Sequence, residues 1–303
     1  MSESRPIPVI VNSGARAGRD LDADAVRRAF AKHGLDADVQ RVEGSAIDST
    51  VKRALDAGAS IVVAAGGDGT VNAVATHLLD RKDAVLGVLP VGTLNHFSKD
   101  LKVPPELEDA VAVIAAGHVR EVDVGDVNGR PFLNNSSLGL YARLVVERER
   151  LQQHRHLGKW PAMFRAGWSV LRHPRTFSAV LHVDGRELCR RTPFVFVGNN
   201  DYIIEGTRAG ERTTLDDGEL AVYVLRPCGP WGLILLALRA LSGRIVHGRD
   251  LDRLRATSFV VESHHGQARV ARDGEVDVLD APVHYRVRPR ALRVLAPPPQ
   301  EAG

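Results

Sequence analysis

Residues 66–70 read Gly-Gly-Asp-Gly-Thr and close the apolar run Ser60-Ile-Val-Val-Ala-Ala65. Gly66, Gly67 and Gly69 permit positive φ and let a polyphosphate approach the main chain. Thr70 is a good N-cap residue, so a helix starting there would aim free N–H groups and a positive dipole at the same place. An anion site accounts for the glycines but not for Asp68, because a bare carboxylate repels phosphate. Asp68 makes sense if Mg²⁺ lies between the two, directly or through water, or if it accepts a proton from an attacking hydroxyl. Both roles belong to phosphoryl transfer. A second turn repeats the pattern: Leu89-Pro-Val-Gly-Thr-Leu-Asn95 again follows an apolar strand. There Gly92 and Thr93 open the turn to a ligand and Asn95 offers an amide for phosphate or base. The chain has no Gly-x4-Gly-Lys-[Ser/Thr] loop, no His-Arg-Asp with Asp-Phe-Gly, and no Gly-x-Gly-x-x-Gly, which excludes the usual P-loop, protein kinase and dinucleotide sites.

These turns need elements to hold them. Apolar or alternating runs at 8–12, 36–42, 60–65 and 84–90 read as strands. Stretches 21–34, 48–58 and 106–117 have helical spacing and terminal glycines, and a further helix runs on from Thr70. Strands alternating with helices predict an α/β domain with a parallel sheet covered on both faces. Near residue 120 the texture changes. A hairpin is expected around Asn128-Gly129, with strand signals at 177–188, 192–200, 219–225, 258–263, 268–276 and 283–288. Helical stretches at about 142–155, 160–172 and 230–243 interrupt them, and the second half reads as mostly antiparallel β with inserted helices.

The 303 residues suffice for one large or two ordinary domains. A net charge of +3, carried by scattered arginines, fits an anionic substrate or a membrane surface and gives nucleic-acid binding no support. Two cysteines, Cys189 and Cys228, make a disulfide scaffold implausible and an intracellular chain the expectation. No apolar signal core opens the sequence. Trp231–Leu241 is too short to span a bilayer, is broken by Arg239, and reads as a packing helix. The charged stretch 143–160 reads as a solvated face, with Trp160, Phe164 and Trp168 as an alternative membrane-facing rim. His154, His156, His264 and His265 lack metal-binding spacing.

With both glycine turns in view, the chain resembles the diacylglycerol kinase-like lipid kinases, a family that includes sphingosine and ceramide kinases. Gly66–Thr70 and Pro90–Phe97 are the most specific matching elements, and Val11–Gly18 resembles the family's first strand and turn, with Asn12 matching and Ser13 in place of proline. The resemblance covers nearly the whole chain. It implies a two-domain molecule: an α/β nucleotide-binding domain over 1–125, completed by 289–303, and a mostly antiparallel β-sandwich over 126–288 carrying the lipid site, with a catalytic cleft between them. It implies ATP and Mg²⁺ as cofactors. Asn134–Ala142 looks like the entry to the lipid-binding domain, with Asn135 and Tyr141 as lipid-site candidates. Leu215-Asp-Asp-Gly-Glu-Leu220 resembles a turn that holds a structural Mg²⁺ in some members, implicating Asp216 and Asp217. Arg272-Asp-Gly-Glu275 resembles a late turn returning acids to the cleft, with Asp273 a candidate general base beside Asp68, and Glu275 a candidate for the Mg²⁺–water network. Read alone, each of these Asp-Gly pairs is an ordinary hairpin turn.

Two departures bear on the acceptor. Where many members have Gly-x-Asp-Ala, this chain has Gly139-Leu-Tyr-Ala142, and loss of that acid argues against an amino-alcohol headgroup such as sphingosine. Segment 197–212 also lacks the family's glycine cluster. The expected activity is phosphorylation of the primary hydroxyl of a neutral lipid, diacylglycerol or ceramide, met at the bilayer surface. The alternatives are a soluble-substrate kinase of the NAD kinase or phosphofructokinase type, which shares the Gly-Gly-Asp-Gly turn, and a non-catalytic lipid- or nucleotide-binding relative. The expected location is cytoplasmic; peripheral contact with the inner membrane face and homodimerisation are both compatible with the sequence.

Overall fold

The computed structural model describes residues 5–14, 16–79, 81–140, 176–183, 186–203, 210–241, 250–262 and 266–298. The chain divides into two units, Met1–Val122 with Arg290–Gly303, and Asp123–Pro289.

The first unit runs β1 (Ile7–Asn12), α1 (Arg16–Asp20), α2 (Ala23–Lys32), β2 (Ala37–Val42), α3 (Ile47–Asp56), β3 (Ile61–Gly66), α4 (Asp68–Leu78), β4 (Val85–Pro90), α5 (His96–Asp100) and α6 (Leu107–Ala116). Its strands lie in the order β2-β1-β3-β4, all parallel, and the end of the chain's last strand joins β4 in parallel through Val294 and Leu86. A parallel sheet covered on both faces needs strands without a polar side, and all six residues of β4 are buried. α2 is capped by Asp22, whose carboxylate accepts the Asp24 amide hydrogen, and it buries Val26, Ala29 and Phe30 at i, i+3, i+4 spacing. α6 ends where Gly117 turns left-handed at φ 71°. Because β2 and β3 flank β1 on opposite sides, the order in which the parallel strands are added reverses at β1. The carboxyl ends of β1 and β3, where such sheets bind ligands, carry Asn12 and Gly66.

The second unit contains the continuation of β5 (Val119–Val127), then β6 (Arg130–Phe132), β7 (Asn135–Gly139), β8 (Phe177–Val183), β9 (Arg186–Thr192), β10 (Phe194–Asn199), β11 (Leu220–Leu225), α7 (Pro230–Leu241), β12 (Leu251–Ala256), β13 (Ser258–Glu262), β14 (Gln267–Arg272), β15 (Glu275–Asp280) and most of β16 (Val283–Leu295). One antiparallel sheet has the order β12-β11-β10-β7-β14-β15; the other pairs β16, β13, β8 and β9 in turn, with β5 against β16 and β6. Inward residues of both, among them Leu138, Val197, Val222, Phe259, Val270 and Tyr285, form one buried cluster, so the unit is an antiparallel β-sandwich. Tyr285 stacks on Phe259 at 4.7 Å and shares a 2.9 Å hydrogen bond with the Ser136 hydroxyl. Burial pushes its phenol well above the ordinary range.

Four elements differ from the sequence expectations. Residues 177–188 span β8 and the start of β9, and residues 268–276 span β14 and the start of β15, which meet at Asp273-Gly274. The strand from Val283 continues to Leu295, since Arg290 takes a left-handed φ of 51° that lets the chain pass from one unit into the other. α7 packs less completely than a core helix: Leu233 is buried, whereas Trp231, Leu235 and Leu238 are exposed. Among the described residues no helix is long and apolar enough to cross a membrane.

Candidate active site

The turn after β3 is shorter than the sequence suggests. α4 begins at Asp68 with Gly67 as its N-cap, two residues before Thr70. None of Gly66, Gly67, Gly69 or Gly92 has positive φ, so backbone handedness requires none of them, and close approach requires Gly66 and Gly92. Each meets something different. A Cβ on Gly66 would lie 2.5 Å from the Thr70 side chain. A Cβ on Gly92 would lie 2.3 Å from the Gly67 Cα and 2.5 Å from Asn95 Oδ1. The two turns therefore touch main chain to main chain. Gly69 alone faces open space, with nothing within 4 Å of the point where a Cβ would stand, and it lies in the first turn of α4, where backbone N–H groups have no helical acceptor. That is room for a ligand.

Asp68 ties the turns together. Its Oδ2 accepts the His96 amide hydrogen at 3.1 Å and its Oδ1 that of Phe97 at 2.9 Å, so it caps α5 across 28 residues of sequence. Its place in the first turn of α4 also suits that helix's dipole. Asn95 holds the second turn from within. At φ 51° it adopts the left-handed conformation that asparagine tolerates, and its Nδ2 donates to the carbonyls of Pro90 (3.0 Å) and Gly92 (2.9 Å). The amide expected to reach a phosphate or base is thus spent on the turn, while its Oδ1 is buried without a hydrogen bond. Thr93 is exposed at the tip. Asn12, at the end of β1, donates from Nδ2 to the Thr70 hydroxyl at 3.3 Å and accepts the Gly14 amide hydrogen on Oδ1 at 3.0 Å. Asn12, Gly66–Thr70 and Gly92–Asn95 are therefore one connected structure at the carboxyl ends of β1, β3 and β4.

In the second unit, residues 133–135 at the entry to β7 are the hub. Asp273 Oδ2 accepts the Leu133 amide hydrogen at 2.8 Å, and Oδ1 accepts those of Asn134 at 2.9 Å and Asn135 at 3.1 Å. Asp273 and Gly274 have φ of 44° and 92°, the two left-handed residues of a tight hairpin between β14 and β15. Burial raises the Asp273 carboxyl above its ordinary value, opposed by the three amides and by the Arg212 guanidinium. Glu275, the first residue of β15, pairs with Arg272 in the β14–β15 ladder, and its exposed side chain makes no hydrogen bond or ion pair with the described residues. Asn135 enters the site through its main chain, its carbonyl accepting the Asp273 amide hydrogen at 2.9 Å. Tyr141 lies outside the described residues, as do Trp160, Phe164 and Trp168.

Four members of this hub were not singled out in the sequence. Arg212, 5% exposed, donates to the carbonyls of Leu133 (2.7 Å) and Asn199 (3.3 Å) and to Asn134 Oδ1 (3.1 Å). Asn199 Nδ2 donates to the Leu133 carbonyl (2.9 Å) and to that of Asp123 (2.8 Å). Asp123 Oδ2 accepts from Asn200 Nδ2 (2.8 Å) and from the Gly218 amide (2.6 Å), anchoring the turn that carries Asp216 and Asp217. The available signal was the pair Asn199-Asn200 ending an apolar strand; Arg212 and Asp123 had none, because most of their partners lie far away in the sequence. Asp216 and Asp217 are exposed. Among the described residues no three or more His, Cys, Asp or Glu side chains gather as a metal cage. The donor set that exists, single carboxylates beside open main chain, suits a hard cation that keeps its waters and takes other ligands from phosphate.

Comparison with known proteins agrees with this architecture. Residues 6–127 match the diacylglycerol kinase catalytic domain, and residues 147–296 match the YegS C-terminal NAD kinase beta sandwich-like domain. A Pectobacterium atrosepticum protein named "Probable lipid kinase YegS-like" is 34% identical, covering 95% of this chain and 98% of its own. A diacylglycerol kinase of Staphylococcus epidermidis is 37% identical over 97 residues, 32% of this chain and 31% of that one. A crystal structure of a diacylglycerol kinase from Bacillus anthracis superposes with a TM-score of 0.68 at 20% identity, covering 98% of this chain and 99% of that one, which shows a shared fold. With a catalytic-domain match over both glycine turns and a relative aligned almost end to end, this chain is a kinase that belongs to the diacylglycerol kinase-like lipid kinase family.

Proposed function

We propose that the protein transfers the γ-phosphoryl group of ATP to the primary hydroxyl of a neutral lipid of the diacylglycerol or ceramide class. The observation that carries the reading is the pair of turns locked by the Gly67–Gly92 contact and by Asp68, with open space in front of Gly69. Such a surface binds phosphates through main-chain N–H groups at a helix N-terminus and needs no large side chain. Mg²⁺ bound with the phosphates would neutralise developing charge, and Asp68 would hold it through water. The lipid oxygen attacks the γ-phosphorus, the bond from that phosphorus to the β,γ-bridging oxygen breaks, and ADP departs. The hydroxyl proton passes to a carboxylate. Asp68 and Asp273 have both oxygens engaged by main-chain amides, whereas Glu275 is unengaged. Glu275 is accordingly the proton acceptor, and Asp273, the acid expected in that role with Asp68, sets the turn that presents it.

The test is a panel of diacylglycerol, ceramide, monoacylglycerol and sphingosine with labelled ATP and Mg²⁺, and NAD as a soluble control. Label should pass to diacylglycerol or ceramide, poorly to sphingosine, and not to NAD. Transfer to NAD alone would overturn the reading. Glu275→Gln should lower kcat by about 10²–10⁴-fold with ATP affinity unchanged; if Glu275→Gln is fully active while Asp273→Asn is folded and inactive, the two acids exchange roles.

A further inference from the structure

A cavity of about 310 Å³ opens between α3 and the strands β1 and β2. Its walls include Pro6 and Pro8 on the β1 side, and Ala54 and Ala57 from the last turn and C-cap of α3. Small side chains at these places leave helix and sheet apart where larger ones would close the gap. Pro8 pairs with Asp38 near the amino ends of β1 and β2. Asn12, which bonds to the Thr70 hydroxyl, is four residues further along β1, about 13 Å at 3.3 Å per residue. The cavity is therefore no part of the glycine turns, and its size admits one small molecule.

The polar groups that line it select the ligand. Arg5 Nη1 donates to the Ala57 carbonyl, and Arg53 Nη2 donates to Gln40 Oε1 at 3.2 Å. Both acceptors are neutral, and neither guanidinium makes an ion pair with the described residues. Ala57 lies one turn beyond Arg53, whose carbonyl accepts its amide hydrogen at 3.0 Å, so both cations are held at the same end of α3. Each has used one of its five N–H donors. Asp38 is the one acid among the described residues that line the cavity; its Oδ2 accepts from Gln40 Nε2 and its Oδ1 has no donor among them. Two guanidinium forks against one carboxylate favour a phosphate monoester, with three terminal oxygens and up to two charges, over a carboxylate that fills a single fork. The open Oδ1 suits a hydroxyl, and the proline and alanine walls suit the C–H faces of a short polyol.

We propose that this cavity binds a small polyol phosphate, held by Arg5 and Arg53 at the phosphate and by Asp38 at a hydroxyl. Such a site is separate from the catalytic turns and independent of which acceptor the kinase uses. The experiment titrates glycerol 3-phosphate into the full-length protein by calorimetry, with inorganic phosphate and glycerol as the two halves of the ligand. The variants are Arg5→Gln/Arg53→Gln, Arg5→Lys/Arg53→Lys, Asp38→Ala, and Ala54→Leu, which fills the cavity without altering charge. Thermal melting confirms the fold of each.

The expected result is one glycerol 3-phosphate bound per chain, at least fivefold weaker binding of inorganic phosphate, and no detectable binding of glycerol. The glutamine pair and Ala54→Leu should each weaken glycerol 3-phosphate at least tenfold, and the lysine pair at least threefold, because an ammonium keeps the charge but not the fork. Asp38→Ala should bring glycerol 3-phosphate and inorganic phosphate within twofold of each other. Absence of binding to the parent at millimolar glycerol 3-phosphate would overturn the proposal. So would binding left unchanged by both the glutamine pair and Ala54→Leu, which would place the ligand elsewhere. Parent-like binding by the lysine pair would reduce the contact to charge alone, and equal binding of the two phosphates by the parent would remove Asp38 from it; either result overturns the recognition proposed.

Discussion

In the N-terminal unit two turns meet through bare main chain at Gly67 and Gly92, and a single side chain, Asp68, ties them. In the C-terminal unit the hub at residues 133–135 is held largely by side chains, Asp273 on its three amides and Arg212 and Asn199 on the Leu133 carbonyl. Main-chain amides of Asn199 and Asp273 take the carbonyls of Asn134 and Asn135. The first arrangement leaves space and free N–H groups for something that arrives from outside. The second consumes its own donors and acceptors and leaves little over. It is built to hold a turn still, and the acid left free beside it is Glu275. One unit keeps open main chain beside its acid, the other spends its donors and acceptors on holding a turn, and the two regions should therefore fail differently.

The largest contrast is expected at the acids. Asp68→Ala should reduce phosphoryl transfer by about 10³-fold while costing about 1 kcal/mol of stability, the worth of one helix cap. Rates with labelled ATP and a denaturant melt measure the two effects on the same preparation. A variant of undiminished activity would remove Asp68 from the site altogether. In the hub the balance reverses. Arg212→Met leaves the Leu133 and Asn199 carbonyls and Asn134 Oδ1 short of a buried donor, which should cost about 3 kcal/mol. Lysine should not restore it, because one ammonium cannot reproduce the planar fork that spans three acceptors. Should Arg212→Met melt like the parent, the hub is looser than its hydrogen bonds imply.

The glycines sharpen the comparison further. Gly92→Ala drives a methyl into Gly67, so it should cost about 1–3 kcal/mol and weaken ATP binding. Gly69→Ala meets nothing, has ordinary φ and lies in a helix. It should leave stability within about 1 kcal/mol of the parent and still weaken ATP binding, as titration calorimetry can show. If both alanines weaken ATP only as far as they unfold the protein, the space before Gly69 is not where the phosphates lie.

The smallest effect concerns pH. The Asp273 carboxyl is raised above its ordinary value by burial, so the folded protein holds a proton that the unfolded chain has already released. Stability from this group is therefore greatest in acid and falls as pH rises from about 4 through the folded-state pKa, beyond which it is flat. Asp273→Asn should abolish that segment of the pH–stability curve. A parent curve without any decline there would mean that the three amides and Arg212 outweigh burial.

Much of the N-terminal unit was legible because its signals are local. Apolar runs at β3 and β4, glycine stops such as Gly117, and glycines clustered around one acid all report their role within a few residues. What was misjudged there was the reason for the glycines. Gly66 makes room for Thr70 and Gly92 for Gly67, and no composition rule states which atom will stand opposite a missing Cβ. Asn95 was read as a ligand group because its type and position allow it, whereas its amide closes the turn. In the C-terminal unit Asp273-Gly274 was legible as a hairpin, but its carboxylate finds Leu133–Asn135 some 140 residues away.

The sequence by itself determined the alternation of strands and helices, the places where turns must be stripped of side chains, and the setting of one acid, Asp68, among glycines. These follow from periodicity, from steric freedom and from charge, which are properties of neighbouring residues. Only the tertiary structure decided which acid is free and which is spent, that Arg212 is buried, and that one face of α7 is bare. A carboxylate, a guanidinium or a leucine is the same group in any sequence. Whether it is consumed or left available depends on which distant main-chain atoms the fold brings within about 3 Å of it.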